Sequence, residues 1–335
     1  MNMKQWIKDV IEAKEKKAIP VLSFPSIQLL GITVKELISD SDVQSDGMAA
    51  IAKCCPTGAS VSLMDLSVEA ECFGAEIQVS ENEVPTVTGS IVNSMEDAEN
   101  LKVPQVGAGR TGIYVESIKK ALTKITDRPV FAGVIGPYSL AGRLQGLSEI
   151  MPNCFEFPDM VHLTLEKATE FLLSYILEYK KAGAHGVVMA EPAAGLLSPA
   201  LCSEFSSEYV KKIVDAVQDE NFLVIYHNCG PAVKKMVPEL LETGAAAYHF
   251  GNAVSMPMML EQMPSDVLVM GNVDPVKGFR QGTPESLREE TMKLLEACSG
   301  YSNFVISSGC DIPPASRWEN INEFFRTVTE FYQAG

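Results

Sequence analysis

The chain has 335 residues, of which 46% are hydrophobic and 21% are charged, a composition typical of a well-cored globular protein and not of a disordered one. Its net charge of −16 at pH 7 argues against nucleic acid or an anionic membrane as a partner, because both need a basic surface. No apolar run is long enough to span a membrane and no apolar leader occurs. We therefore expect a cytoplasmic protein whose eight irregularly spaced cysteines are free thiols.

The first third of the chain is predicted to hold two strands and an insertion. After a charge-rich amphipathic helix, the apolar segments 18–24 and 59–65 are typical of buried strands. Residues 66–128 do not fit a single helix between strands, since 74–89 has the pattern of a hairpin and 115–125 that of a helix. We interpret 66–128 as an elaborated insertion after the second strand.

From about residue 130 short apolar strands alternate with helices. The predicted strands cover 130–135, 186–190, 222–227, 246–250, 267–271 and 303–307. The predicted helices between and after them cover 164–183, 198–218, 231–243, 256–262, 284–298 and 317–333. With the two earlier strands the count is eight, which predicts a (β/α)₈ TIM barrel in a single domain over 1–335. A doubly wound open sheet is the alternative, but no glycine-rich dinucleotide fingerprint follows the first strand.

Three residues of the metal-ligand type follow two of these strands. His227 and Cys229 are two positions apart, so their side chains point the same way along a strand, together with Leu223 and Ile225. Cys310 ends the last strand, and in a closed barrel the carboxyl ends of all strands meet at one mouth. We therefore expect the three side chains to converge there.

This donor set predicts a catalytic zinc site. Thiolates and imidazole suit Zn²⁺, and three protein ligands leave a coordination position open for chemistry. The alternative is that Cys229 and Cys310 are small buried hydrophobes, since a His-x-Cys pattern alone is weak. His249, at the next strand end, is either a hydrogen-bond partner of the site or an ordinary core histidine.

Several motifs make the chain resemble the uroporphyrinogen decarboxylase superfamily, and within it the methylcobamide:coenzyme M methyltransferases. The motifs are "DLSVEAECFGAEI" (65–77), "GPYSLAGRLQG" (136–146), "AEPAAGLLSP" (190–199), "YHNCG" (226–230), "GNVDP" (271–275) and "SSGCDIPP" (307–314). The His-x-Cys…Cys set is the discriminating part, because in these methyltransferases such residues hold zinc, and here they match His227, Cys229 and Cys310.

The resemblance implies an activity, a cofactor and partners. It implies that Zn²⁺ binds a small thiol such as coenzyme M as a thiolate, and that this sulfur takes the methyl group of a methylated corrinoid carried by a separate corrinoid protein. A uroporphyrinogen decarboxylase is less compatible, since the segment 21–31, "VLSFPSIQLLG", contains no arginine to pair with a tetrapyrrole's carboxylates. Whether the protein forms a homo-oligomer is left open.

Four further residues are candidates for the site. Glu191 ends a strand and is either a fourth zinc ligand, a base, or a carboxylate facing a helix. Asp274 is either a ligand-orienting residue or a structural turn aspartate. Asp65, with Glu69 nearby, lies at the end of the second strand and could approach a substrate. Arg143 could pair with a sulfonate, or be an ordinary surface arginine.

Three alternatives to this function remain at the level of sequence. One is decarboxylation of a smaller acid, which would need neither a thiol nor a metal. Another is a non-catalytic zinc protein that docks a corrinoid or another partner through a closed four-ligand site. The third is methyl transfer to a different thiol, such as homocysteine, which shares the chemistry and differs only in the acceptor pocket.

Overall fold

The computed structural model of the chain describes residues 1–334. Seven parallel strands form one curled sheet, and two more form an antiparallel hairpin. The sheet consists of β1 (Ser60–Val61), β4 (Val130–Ile135), β5 (Gly186–Ala190), β6 (Leu223–Asn228), β7 (Ala247–Phe250), β8 (Leu268–Val273) and β9 (Phe304–Ser308), in that order. The hairpin consists of β2 (Glu76–Gln78) and β3 (Thr86–Thr88) and lies inside the predicted insertion.

Helices surround the sheet. They are α1 (Met3–Glu12), α2 (Ser26–Leu30), α3 (Val34–Ser39), α4 (Ser41–Cys54), α5 (Val68–Cys72), α6 (Met95–Asn100), α7 (Thr111–Lys124), α8 (Pro137–Gln145), α9 (Ile150–Glu156), α10 (Pro158–Ala182), α11 (Pro199–Cys202), α12 (Glu208–Val217), α13 (Val237–Leu241), α14 (Met256–Gln262), α15 (Pro284–Cys298) and α16 (Trp318–Ala334). Short 3₁₀ helices cover Ala194–Leu196 and Val233–Lys235, and π-helical turns cover Ser203–Ser207 and Pro275–Arg280.

The first predicted strand, 18–24, occupies the eighth position without forming a regular strand. On one side the Ile19 N–H donates to the Ile306 carbonyl of β9 at 3.0 Å. On the other side the Gly58 N–H, just before β1, donates to the Ala18 carbonyl at 2.9 Å. The segment therefore bridges the two edges of the sheet, at β9 and just before β1, and closes it into a barrel. The predicted TIM-barrel-like fold is confirmed.

Proline explains why this segment is not a strand. Pro20 has no N–H to give to a ladder, and the Val21 N–H donates to the Ser308 hydroxyl at 3.0 Å and not to a backbone carbonyl. Proline also divides the helix predicted over 231–243. The structure has a 3₁₀ turn there, followed by α13, whose first turn contains Pro238. The strand predicted over 18–24 and the helix predicted over 231–243 were therefore both wrong. Hydrophobic periodicity does not show that a proline lacks the backbone N–H that regular structure needs.

The barrel interior is filled by its own apolar cluster, separate from the core between sheet and helices. Its side chains come from all eight segments and include Ile19, Val21, Ala59, Val61, Phe131, Val188, Leu223, Ile225, Ala247, Leu268, Met270 and Val305. Helix α1 closes the amino end of the barrel, where Trp6 packs on Phe131 with ring centroids 5.7 Å apart. The carboxyl end is left for a functional site, as in other barrels of this type.

Candidate functional site

The three predicted metal ligands meet at the carboxyl end of the barrel. His227 lies in β6, Cys229 directly after it, and Cys310 two residues after β9. The imidazole nitrogen and the two sulfurs all lie within 4.8 Å of one another. Leu223 and Ile225 lie in the barrel interior, so the side chains on this face of β6 point in the predicted direction. That the triplet holds a metal remains a prediction.

A glycine that the sequence analysis missed makes room for Cys229. A Cβ atom on Gly251, the residue after β7, would lie only 2.4 Å from Cys229 Cβ and 2.5 Å from its Cα. No other residue type allows this approach without moving the backbone of a candidate ligand. A glycine at a strand end is a known sign of close backbone approach and could have drawn attention to this position.

A buried hydrogen-bond chain fixes the orientation of the His227 ring. His227 Nδ1 lies 2.6 Å from His249 Nδ1, and His249 Nε2 lies 2.7 Å from the Ser307 hydroxyl. Burial lowers the pKa of His249 well below its ordinary value, so this ring is neutral. We assign the His249 proton to Nε2, donating to Ser307, which lets His249 Nδ1 accept the proton of His227 Nδ1. The lone pair of His227 then lies on Nε2.

The donor atoms of the triplet fit a metal that prefers sulfur and nitrogen. His227 Nε2 is buried and has no hydrogen-bond partner, which is costly for a lone pair unless something binds it. The pKa of Cys229 is lowered to about 4, chiefly because the Cys310 thiol donates a hydrogen bond to its sulfur. Two sulfurs and one imidazole nitrogen are a donor set that Zn²⁺ takes in proteins.

We expect a His249→Ala substitution to weaken the site without removing a ligand. The substitution frees the His227 ring to rotate and to change tautomer, and loss of such a supporting hydrogen bond typically costs about 10–100-fold in metal affinity. Competition with a chromophoric chelator measures that affinity. Unchanged affinity in the variant would mean that the 2.6 Å contact to His227 does not orient the ring.

Glu191 faces the start of a helix. The Tyr138 N–H donates to its Oε1 at 2.8 Å, while the Ser139 N–H and hydroxyl donate to its Oε2 at 3.0 and 2.8 Å. Burial raises the pKa of Glu191 to about 7, and the hydrogen bonds oppose that shift. Both oxygens are thus used at the first turn of α8. This geometry matches the helix-facing alternative for Glu191 and differs from that of a fourth metal ligand.

Asp65 is the centre of a buried ion-pair network. Its carboxylate pairs with Arg110 and accepts from the Tyr114 hydroxyl at 2.8 Å and the Ser67 hydroxyl at 2.5 Å. Arg110 also donates to Glu71 at 2.7 Å, and this arginine was missed by the sequence analysis. With its oxygens satisfied by protein groups, Asp65 holds the insertion together, and its approach to a substrate stays a prediction.

Glu69 is a buried carboxyl with one unused oxygen. Its Oε1 accepts from the Ile135 N–H at 3.0 Å, whereas Oε2 is buried without a hydrogen-bond partner. Burial is the main cause that raises the pKa of Glu69 from 4.5 to about 7. The neutral form is therefore the one that the fold favours.

This shift predicts a pH dependence of stability. Because the pKa is higher in the folded state, the contribution of Glu69 is complete below about pH 4.5 and is lost as the pH rises through 7. A Glu69→Gln variant, which mimics the neutral acid, should gain about 2–3 kcal/mol of stability relative to the wild type as the pH rises from 5 to 8. Urea unfolding at both pH values measures the gain. A constant difference between the two proteins would show that Glu69 does not titrate in this range.

Asp274 caps the π-helical turn that follows β8. Its Oδ1 accepts from the N–H groups of Val276 and Lys277 at 2.9 and 2.8 Å, and its Oδ2 accepts from the Asn252 amide at 2.9 Å. These contacts fit the second of the two interpretations of Asp274, a structural turn aspartate. A role in orienting a ligand would have to act through Asn252.

Arg143 lies half-buried in α8 with no carboxylate bound to it. Among residues 1–334 its guanidinium has no ion-pair partner within 4.0 Å, and burial lowers its pKa from the ordinary value. It lines a cavity of about 180 Å³ together with Ser139, Met151 and Leu196. A partly desolvated cation in a small cavity is suited to binding an anion.

The fold and the site define a parallel β/α barrel with two thiols and an imidazole clustered at its carboxyl end. The chain belongs to the uroporphyrinogen decarboxylase (URO-D) family, whose model matches residues 20–331. The family resemblance predicted from the motifs is thereby confirmed.

Individual proteins from two branches of this family are similar to the chain. The chain is 29% identical over 271 residues to the methylcobamide:CoM methyltransferase MtbA of Methanosarcina acetivorans, covering 80% of this chain and 78% of that protein. It is 25% identical over 286 residues to the uroporphyrinogen decarboxylase of Hydrogenovibrio crunogenus, covering 82% and 79%. A solved methyltransferase structure from Methanosarcina mazei matches the fold with a TM-score of 0.86 at 23% identity, covering 99% of each chain.

No helix within residues 1–334 is both long enough and apolar enough to cross a bilayer.

Proposed function

We propose that this protein is a zinc-dependent methyltransferase that moves a methyl group from a protein-bound methylated corrinoid to a small thiol such as coenzyme M. The observation that carries the proposal is the triplet of His227, Cys229 and Cys310, with the buried His227 Nε2 left without a partner. The similarity to a methylcobamide:CoM methyltransferase supports the same reaction class.

The triplet residues would hold the zinc ion. When bound, zinc would act as a Lewis acid that keeps the acceptor thiol in its thiolate form at neutral pH, where a free thiol is mostly protonated. The His249–Ser307 chain holds the His227 tautomer that leaves Nε2 free, and Gly251 allows Cys229 to approach.

The transfer itself needs little covalent chemistry from the protein. The new S–C bond uses an electron pair of the sulfur, the cobalt keeps the pair of the broken Co–C bond, and the thiol proton leaves to solvent. The protein's task is to bring the two reactants together in the right orientation. Glu191 contributes to this by fixing the start of α8, the helix that carries Arg143, against the end of β5.

We expect an Arg143→Ala substitution to raise KM for anionic acceptor thiols more than for neutral ones. If Arg143 binds the anionic group of the thiol, KM should rise about 10–100-fold for 2-mercaptoethanesulfonate, because a charge-assisted contact of about 1.5–3 kcal/mol is lost. For neutral 2-mercaptoethanol KM should change less than about twofold. Steady-state assays with both thiols give the comparison. Equal changes for both would remove Arg143 from acceptor binding.

The experiment that tests the proposed function is a methyl-transfer assay with methylcobalamin and a small panel of thiols, with zinc quantified in the same samples. We expect thiol methylation that depends on zinc and is lost with the metal. Decarboxylation of an added acid without thiol or metal would favour the family's other named activity. If the absorption spectrum of the cobalt-substituted protein does not change when thiols are added, a closed, non-catalytic site would be favoured.

A further inference from the structure

An exposed apolar ridge lies on the segment that follows helix α8. Met151 and Phe155 are four residues apart in α9 and project from one side of it; Met151 is half-buried against the core, and Leu147 lies in the turn before the helix. Phe155 is 73% exposed, and Phe157, which follows α9, is 56% exposed. Large side chains of this kind seldom face water together without a partner. We call these four residues the α9 ridge.

The α9 ridge is continuous with the carboxyl end of the barrel. Leu147 and Met151 line the same cavity as Leu196, which is itself 55% exposed. The neighbour of Leu196, Gly195, packs its backbone against Gly230, where an added Cβ would lie 2.6 Å from the Gly230 Cα. Gly230 directly follows Cys229. A macromolecule bound on the ridge would therefore lie beside the turn that carries a candidate metal ligand.

A recess adjoins the ridge and can receive a side chain from a partner. It has a volume of about 490 Å³ and is lined by Phe157, Met95 and Met160, together with the acidic residues Glu156 and Asp159. Met95 is itself 42% exposed. An apolar projection beside a recess with an apolar part and a polar edge is the arrangement found at protein–protein interfaces.

Charge around the ridge distinguishes between occupants. Glu149, Glu156 and Asp159 are exposed at its border, and none has an ion-pair partner among residues 1–334. In a symmetric contact between two copies these carboxylates would oppose one another, which disfavours self-association. Because the border is acidic, the surface favours a different protein whose own apolar patch is bordered by lysine or arginine.

We propose that the α9 ridge is the docking surface for the protein that carries the methylated corrinoid. This inference rests on the proposed function, which requires a macromolecular methyl donor at this end of the barrel. The apolar ridge supplies the contact area, and the acidic border selects a partner with a basic rim and accelerates its association.

The test compares two methyl donors in one assay with a common thiol. One is free methylcobalamin, which needs no protein contact; the other is the methylated corrinoid protein of the source organism, purified by its visible absorbance. Phe155→Asp should lower kcat/KM with the protein donor about 30-fold and leave the rate with free methylcobalamin unchanged. Glu156→Lys should lower kcat/KM with the protein donor mainly at low salt. Leu177→Asp, at an exposed apolar position on α10, is the matched control and should behave as wild type.

Each other outcome is informative. Equal rates for wild type and Phe155→Asp with the protein donor would overturn the docking surface, as would a wild-type dimer that the substitution dissociates. Sedimentation velocity, followed at the corrinoid absorbance, measures binding independently of turnover. If wild type binds the corrinoid protein and Phe155→Asp does not, while neither donor methylates a thiol, the docking surface stands and the proposed function fails.

Discussion

Replacement of Cys310 by alanine is expected to remove stoichiometric zinc and to lower kcat/KM for thiol methylation by about 10³-fold or more. The substitution leaves one sulfur and one imidazole, which are too few ligands to retain the ion at ordinary concentrations. The Lewis-acid contribution to the reaction, worth several kcal/mol, is then lost. Zinc analysis and the methyl-transfer assay on the same preparation measure both effects.

A second cysteine gives the control for this experiment. Cys54 is an exposed thiol at the end of α4 and is not part of the triplet, so Cys54→Ala should keep both zinc and activity. Far-ultraviolet circular dichroism should be the same for both variants and the wild type. A zinc-free Cys310→Ala protein with full activity would defeat the proposed mechanism.

The second large effect is expected at Arg110. An Arg110→Met substitution should lower the free energy of unfolding by about 4 kcal/mol, because it leaves the Asp65 carboxylate buried without its cation. Tyr114 and Ser67 still donate to that carboxylate but do not neutralise it. Urea unfolding of the variant and the wild type measures the loss.

Two further variants separate structure from substrate binding in this network. An Asp65→Asn, Arg110→Met double variant removes the unpaired charge and should recover part of the stability. Arg280→Met, which breaks an exposed pair with Glu83, should change stability by less than about 1 kcal/mol. If Arg110→Met left stability intact and raised KM for the thiol, the result would favour a role for Asp65 in substrate binding over a structural one.

The sequence was sufficient to predict the barrel and the convergence of the triplet. Alternation of apolar strands with helices requires a parallel sheet, and a closed barrel brings the ends of distant strands together. His227 and Cys310 could therefore be placed at one mouth although 83 positions separate them (310 − 227). The direction of the side chains on β6 followed from the twofold period of a strand.

The hydrogen-bond and ion-pair partners of the buried carboxylates could not be predicted from the sequence. Asp65 and Glu191 look like free carboxylates at strand ends, yet Arg110 lies 45 positions from Asp65 and Ser139 lies 52 positions from Glu191. Such contacts depend on how the insertion and the helices pack, and neither periodicity nor spacing encodes them. The proline effects at 20 and 238 were visible in the sequence but were outweighed by the apolar pattern around them.

The central claim is that two sulfurs and one imidazole hold a zinc ion whose remaining position accepts an external thiol. X-ray absorption at the zinc edge, recorded with and without 2-mercaptoethanesulfonate, tests it most directly. We predict a spectrum with the sulfurs of Cys229 and Cys310 and the nitrogen of His227, and one additional sulfur when the thiol is present. A zinc environment without both cysteine sulfurs, or one that does not change on addition of the thiol, would contradict the account.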